Sequence, residues 1–192
     1  KLVESYSSDR IRLIRNRYNI GFAPNLDRAT SSATKDFMIL LSSDDRMKPG
    51  ALRTYAELIE EHGDNRDNLV LMSSVERIDS RGDPIALMPA KPEVVRTALE
   101  GADAEAGTVE CHRGLDVFRA AVRWQFNAGH FLSMAYSRAL YQAVQGHSTT
   151  HNFDPDAHFA HKVLRLDPLV MYVNKPLFEY RWHDANVMTN EK

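Results

Sequence analysis

The chain has 192 residues, with 24 Lys plus Arg against 26 Asp plus Glu and a formal charge of −2. That length suffices for one domain with a real core, and the near-neutral balance argues against nucleic acid as an electrostatic partner, so any phosphate binding must be local. One cysteine, Cys111, excludes an internal disulfide; with no apolar run long enough to span a membrane and no secretory signal, the expectation is a cytoplasmic protein, with the inner face of the membrane as an alternative site.

In chain order, Ile11-Arg-Leu-Ile14 reads as a short strand and Asn19-Ile-Gly21 as a turn. Leu26, Ala29 and Ala33 then recur at helical spacing with Asn25 as cap. The apolar run Phe37 to Leu41 reads as a buried strand that is released into two adjacent carboxylates, Asp44 and Asp45, before Pro49-Gly50 opens a new helix. Strand, Gly turn, helix, strand and acidic tip make one parallel crossover unit. Open α/β sheets bind ligands at the carboxyl ends of their strands. Acids there suit a hard divalent cation, and such a cation can hold a diphosphate. The same Asp-Asp pair is also compatible with plain turn and N-cap chemistry.

Residues 51–62 form an amphipathic helix with Leu52, Tyr55 and Ile59 inward and Gly63 as its stop. Leu69 to Val75 is a strand, and Asp79-Ser-Arg-Gly82 turns into another near Ile85. Between Pro89 and Gly114 the composition changes to a short helix and a small, acidic tract, 101–107. That tract reads as a mobile connection, with an acceptor-side lid as the functional alternative. Residues 115–123 read as helix, Phe131 to Tyr136 as strand, and Ser137 to Gln145 as a helix capped by Ser137 and ended by Gly146. Asp154-Pro155 is a helix start, cap then first helical position, with Phe159, Val163 and Leu166 on the buried face. Asp156 lies in the first turn, where the helix dipole favours an anion. Leu169 to Val173 is strand-like and runs on into Pro176-Leu-Phe-Glu-Tyr-Arg.

Several of these stretches together resemble a known family. Asn19-x-Gly21, Asn25, Ala29, the run Lys35-Asp-Phe-Met-Ile-Leu-Leu-Ser-Ser-Asp-Asp and Pro49-Gly50 look like the core of a family 2 glycosyltransferase of the GT-A fold. Arg77-Ile-Asp-Ser-Arg-Gly-Asp83 is similar to the family's Ile-Asp-x-x-Gly hairpin, and Pro176-Leu-Phe-Glu-Tyr-Arg-Trp-His183 to its Pro-Leu-x-x-Tyr-Arg-x-His ending. The resemblance implies an α/β fold whose central, mostly parallel, Rossmann-like sheet is flanked by helices. It also implies a single domain over 1–192, with 1–88 as the donor and metal half, 113–187 as the acceptor half and 89–112 as a flexible connection. Three positions depart from the family pattern. Ser42 replaces the first Asp of Asp-x-Asp, Pro24 replaces an Arg, and Pro155 replaces the Glu of a Glu-Asp pair. The family's opening nucleotide-cradling strand and helix have no counterpart here, so the chain is expected to be a piece lacking about fifty residues of the fold.

By the same resemblance the function is sugar transfer from a nucleotide-diphosphate sugar to a hydroxyl acceptor (saccharide, lipid-linked or other), inverting and metal-assisted, of the kind that builds bacterial cell-surface polysaccharide. Donor binding falls to Asn19, Gly21, Asn25, Asp44 and Asp45. Mg²⁺ or Mn²⁺ falls to Asp44 and His183, and the general base is Asp156. Gly129, His130 and Trp182 are placed on the acceptor side, with Asn127 nearby. Two other functions compete. A non-catalytic nucleotide-sugar- or carbohydrate-binding domain fits the replacements at 24, 42 and 155. A metallohydrolase would use the histidines and aspartates of 147–161, although His158 and His161 also suit a solvated helix face. Trp124 and Trp182 could stack on a sugar or simply pack.

Overall fold

The computed structural model describes residues 5–6, 8–99, 105–123, 127–149 and 154–183. Its centre is the apolar run that begins at Leu69. This segment becomes β3 (Leu69–Ile78) and is buried at nearly every position, the signature of a strand covered on both faces. Val70 and Met72 point into one core with Met38, Tyr136, Phe159, Val163 and Tyr172. Leu69, Leu71 and Val75 point into the other with Ala51, Tyr55, Met171 and Phe178. The period-two alternation of the strand thus feeds two hydrophobic layers.

Around β3 the elements run α1 (Phe22–Ser31), β1 (Phe37–Ile39), β2 (Arg46–Met47), α2 (Ala51–Glu61), β3, β4 (Pro84–Met88), α3 (Glu93–Ala98), β5 (Val109–Arg113), α4 (Gly114–Arg123), β6 (Ala135–Ser137), α5 (Arg138–Ala143), α6 (Pro155–Leu164) and β7 (Leu169–Arg181). Residues of α2 fill the second core, while α3, α4, α5 and α6 supply the first. The sheet order is β1-β6-β3-β7-β2, with β4 on β3 and β5 on β7. None of the described helices is long and apolar enough to cross a membrane.

The sheet is mixed, which corrects the mostly parallel sheet expected from the sequence. Only β3 and β7 pair in parallel; β1–β6, β3–β6, β2–β7, β3–β4 and β5–β7 are antiparallel. β6 runs opposite to both β1 and β3, so those two strands share a direction without being neighbours. A parallel pair needs a long crossover, which the path from β3 through α3 to α6 provides for β3 and β7. Along β7 the register slips where Ser73 faces Val173, Ser74 faces Pro176 and Val75 faces Phe178. Pro176 has no N–H for the ladder, and a bulge is where a strand tolerates that.

Other expectations change as well. Ile11, Leu13 and Ile14 lie exposed and form no strand, because no neighbouring strand among the described residues pairs with them. α1 begins at Phe22 with Gly21 as its cap at φ 86°, three residues before Asn25. Pro24 is accommodated because first-turn N–H groups have no intrahelical partner to lose. Leu52 is exposed, since α2 buries the face of Ala51 and Tyr55 instead, and Leu166 is exposed beyond the end of α6. Residues Phe131–Ser133 form a 3₁₀ turn, leaving β6 only Ala135–Ser137. Within 89–112, α3 and β5 are regular structure, and β5 lies in the sheet against β7; residues 101–104 of the small acidic tract lie outside the described residues.

Candidate active site

The acidic tip after β1 is held by the end of β7. The Arg181 amide N–H donates to Asp45 Oδ1 at 2.9 Å and the Arg181 Nε–H donates to the Asp44 carbonyl at 3.0 Å. The same guanidinium reaches the carbonyls of Asp79 and Ser80, so it fastens the tip to the β3–β4 turn. In that turn the Asp79 carboxylate accepts from the amides of Arg81, Gly82 and Asp83. His183 then lies with Nε2 3.1 Å from Asp44 Oδ2. Residues 139 apart in sequence, both expected to serve a metal, are therefore adjacent. The tip acids are not helix caps, because α2 starts from Gly50 without a side-chain cap.

Asp45 is half-buried and its pKa is raised. Desolvation is the main cause, opposed by the Arg181 amide, and the neighbouring Asp44 charge pushes the same way as burial. Desolvation penalises the charged form unless donors or cations compensate it.

A cleft of about 490 Å³ opens beside this tip. Its polar wall holds Ser42, Asp45, Asn127, His130, Asp154 and Asp156; its apolar wall holds Phe22, Leu26, Phe131, Tyr180 and Trp182, among others. Asp156, Gly129, His130 and Trp182, expected on separate grounds, thus share one cavity with Asp45. Asp156 has a raised pKa, first because of burial and also because of the Asp154 charge; amide N–H groups of its own helical turn pull the other way. His130 Nε2–H donates to the Pro89 carbonyl at 3.0 Å. Burial lowers the His130 pKa, so the ring is held neutral with its proton on Nε2. A Cβ at Gly129 would lie 2.3 Å from Met72 Sδ, so a larger residue there needs Met72 to move. Trp182 anchors its own backbone to the Ile78 carbonyl at 2.8 Å, and the Arg77 guanidinium sits 4.0 Å over its ring.

Asp154 departs from expectation. It precedes α6 but makes no side-chain cap bond, because its backbone is left-handed at φ 42°, ψ 55°, and it faces the cleft instead. The three remaining donor-side candidates also lie elsewhere. Asn19 Oδ1 accepts from the Gly21 amide at 2.9 Å, closing an Asx turn that sets up α1. Asn25 Oδ1 accepts from Asn16 Nδ2 at 2.9 Å and lines a separate groove of about 460 Å³ with Arg12 and Arg28. Of α1, it is Phe22 and Leu26 that reach the cleft.

Among the described residues the histidine cluster does not assemble, since no three of His, Cys, Asp and Glu gather as a metal site. His147 is buried, stacked on Phe159 at 4.0 Å, with its pKa lowered to about 4 chiefly by burial. His161 lies edge-on to Phe118 at 5.9 Å, half-buried rather than solvated. His151 and Trp124 lie outside the described residues. Arg181 was not singled out from the sequence, although the Tyr-Arg of the closing motif marks it; Asp154 was read as a cap because its left-handed backbone has no sequence signal.

A search of curated proteins found no match. Among solved structures the chain is similar to residues 1–349 of S. aureus TarS, with a TM-score of 0.56 at 15% identity over 84% of this chain and 40% of that one. For the TarS complex with UDP-GlcNAc the values are 0.58 and 16%, covering 90% and 42%. For its complex with UDP they are 0.56 and 15%, covering 86% and 41%. The chain therefore spans about two-fifths of the length of these structures, and at this identity the likeness shows a common fold. The profile of the family described as Glycosyl transferase family 2 matches residues 1–116, more than half of the sequence. The chain belongs to glycosyl transferase family 2.

Proposed function

We propose that this chain forms the greater part of the site of an inverting glycosyltransferase that moves a sugar from a nucleotide-diphosphate sugar to a hydroxyl acceptor. The observation that supports it most is convergence. The tip residues Ser42 and Asp45, the loop residues Asn127, Gly129 and His130, the start of α6 and the end of β7 are far apart in sequence and line one cleft, in a chain of this family.

Asp156 acts as the general base. Burial and the Asp154 charge bring its pKa up from the ordinary carboxylate value, toward the operating range that suits proton abstraction. As it takes the acceptor proton, the acceptor oxygen forms a bond to the anomeric carbon. The bond from that carbon to the diphosphate oxygen breaks on the opposite face, and the electron pair leaves with the nucleoside diphosphate. Trp182, Tyr180 and Phe131 offer apolar faces to a sugar ring. Holding both substrates in line contributes much of the acceleration.

The Asp44 carboxylate beside the His183 imidazole suits Mg²⁺ or Mn²⁺. With no third protein donor gathered among the described residues, the set fits an ion that keeps part of its coordination for substrate phosphates. Bound there, the ion would offset charge on the leaving diphosphate.

The test uses the full-length protein with a panel of nucleotide sugars and Mn²⁺. Asp156→Asn keeps the shape but cannot accept a proton. It should lower turnover by roughly 10²–10⁴-fold with nucleotide affinity intact. Asp44→Asn should abolish the Mn²⁺ dependence of nucleotide binding while leaving the unliganded melting temperature nearly unchanged. Near wild-type turnover in Asp156→Asn moves the base elsewhere, and binding without turnover for every donor favours a non-catalytic sugar-nucleotide module.

A further inference from the structure

We propose that the acceptor side of this cleft selects neutral or cationic hydroxyl acceptors and excludes anionic ones, with Asp154 as the specificity-determining residue. The proposal rests on the transferase function above and names the class of its second substrate.

The charge balance of the cleft is one-sided. Its described lining contains Asp45, Asp154 and Asp156 and neither a lysine nor an arginine. Two arginines of the flanking strands act from behind the lining, Arg181 opposing the rise of the Asp45 pKa at the tip rather than acting at α6. Arg181 donates to the carbonyls of Asp44, Asp79 and Ser80, and Arg77 sits over Trp182. His130 is kept neutral by burial and spends its Nε2 proton on Pro89.

The acids of the cleft fall into two groups. Asp45 sits with Asp44 at the tip, where a donor diphosphate arriving with a divalent cation brings compensating charge. Asp154 and Asp156 stand at the start of α6, and no described cation pairs with either. Asp154 has no hydrogen-bond or ion-pair partner for its carboxylate among the described residues. Its position is also not the product of helix-start chemistry, because the cap bond is absent and the backbone is left-handed just before Pro155, where extended backbone is preferred. Its field is felt inside the site, since it adds to the upward shift of Asp156.

An acceptor must present its hydroxyl to Asp156, and so lies close to both charges. A carboxylate or phosphate on that acceptor adds a further negative charge beside the part-buried Asp156 and the exposed Asp154, where the summed repulsion is worth roughly tenfold in affinity at low ionic strength. Like-charge juxtaposition is how proteins reject wrong partners. A neutral pyranose meets no such penalty and matches the aromatic wall. An amino sugar gains from the same field.

The experiment compares three matched acceptors in the full-length protein: the p-nitrophenyl β-glycosides of glucose, glucosamine and glucuronic acid, at low ionic strength with the productive donor and Mn²⁺. In wild type, kcat/KM for the glucuronide should fall about tenfold or more below that for the glucoside, with the glucosaminide equal to or above the glucoside. Asp154→Asn keeps the size and the tolerance of left-handed backbone, so the fold is preserved; it should narrow the glucoside-to-glucuronide ratio severalfold. A glucuronide used as well as the glucoside in wild type, or a ratio unmoved by Asp154→Asn, overturns the proposal while transfer itself stands. A second measurement needs no turnover. With UDP and Mn²⁺ bound, wild type should bind the glucuronide about tenfold or more weakly than the glucoside, and Asp154→Asn should narrow that difference severalfold; equal affinities in wild type, or a difference unmoved by the variant, overturn the proposal. Absence of transfer from every donor counts against the transferase function, whatever the binding result.

Discussion

Two clusters of charged side chains in this molecule have opposite surroundings. Lys91, 2% exposed, forms an ion pair with Glu110. Asn174 Nδ2–H donates to Glu110 Oε1 at 3.0 Å and to Thr108 Oγ1 at 3.1 Å, and His112 Nε2 lies 3.5 Å from Glu110 Oε2. Burial pushes the Glu110 pKa up, but Lys91 and Asn174 more than offset it and the net shift is downward. In the cleft, Asp45 and Asp156 experience the same desolvation with too few donors, and both are shifted upward. A paired buried charge stabilises itself and ties strands together. An underpaired one is left ready to take a proton or recruit a cation, and that state is what functional sites use. The knot at Lys91 also joins β5 and β7 to the segment whose Pro89 carbonyl orients His130, so the satisfied cluster braces the unsatisfied one.

The contrast breaks most visibly at Lys91. Lys91→Met leaves the part-buried Glu110 without its cation and should destabilise the fold by about 2–3 kcal/mol in urea unfolding. Lys91→Met with Glu110→Met should recover much of that loss, because an apolar pair needs no solvation. A double variant as unstable as the single one would mean that Asn174 and Thr108, rather than the ion pair, hold the knot. Next in size is Gly129→Ala, which drives a methyl into Met72 in a packed region and should cost about 2 kcal/mol. It should also raise KM, because His130 is the next residue; unchanged stability would show that Met72 rotates away freely.

The smallest effect is expected at Asp154. A residue that capped α6 would lose roughly 1 kcal/mol on truncation. Here Asp154→Gly removes no cap bond and relieves the left-handed backbone, with the added flexibility of glycine in the unfolded chain acting against it. The melting temperature should stay within about 2 °C, and a loss matching a true cap would return Asp154 to a structural role.

His147 gives the comparison a pH axis. Its pKa falls to about 4 in the fold, mainly through burial, from the usual value near 6.5 when unfolded. The unfolded chain therefore binds the extra proton between about pH 6.5 and 4, so stability falls with pH across that window, by a few kcal/mol at most. His147→Leu should remove this part of the acid sensitivity while wild type retains it.

The local elements were legible in the residues because each has a local cause. The apolar run Leu69–Met72 marks β3, helical spacing marks α2 and α4, Ser137 caps α5 through the Leu140 amide at 3.1 Å, and Asp154-Pro155 marks the start of α6. The tip acids, Asp156, Trp182 and His183 stand out in the sequence as candidates because they fall in or beside stretches that resemble family motifs, and His130 as a neighbour of Gly129. What spacing cannot convey is which of them meet. The place of β6 between β1 and β3, which makes the sheet mixed, depends on non-local pairing. The placement of Asn25 outside the cleft follows from where α1 starts, a choice made by the left-handed Gly21. The use of Arg181 to bind the tip needs the long β3–β7 pair to bring residues 137 apart together. Hydrophobic pattern and turn chemistry act over a few residues and are written in the sequence. Strand order and the meeting of distant loops are properties of the whole packed chain, and only the tertiary structure decided them.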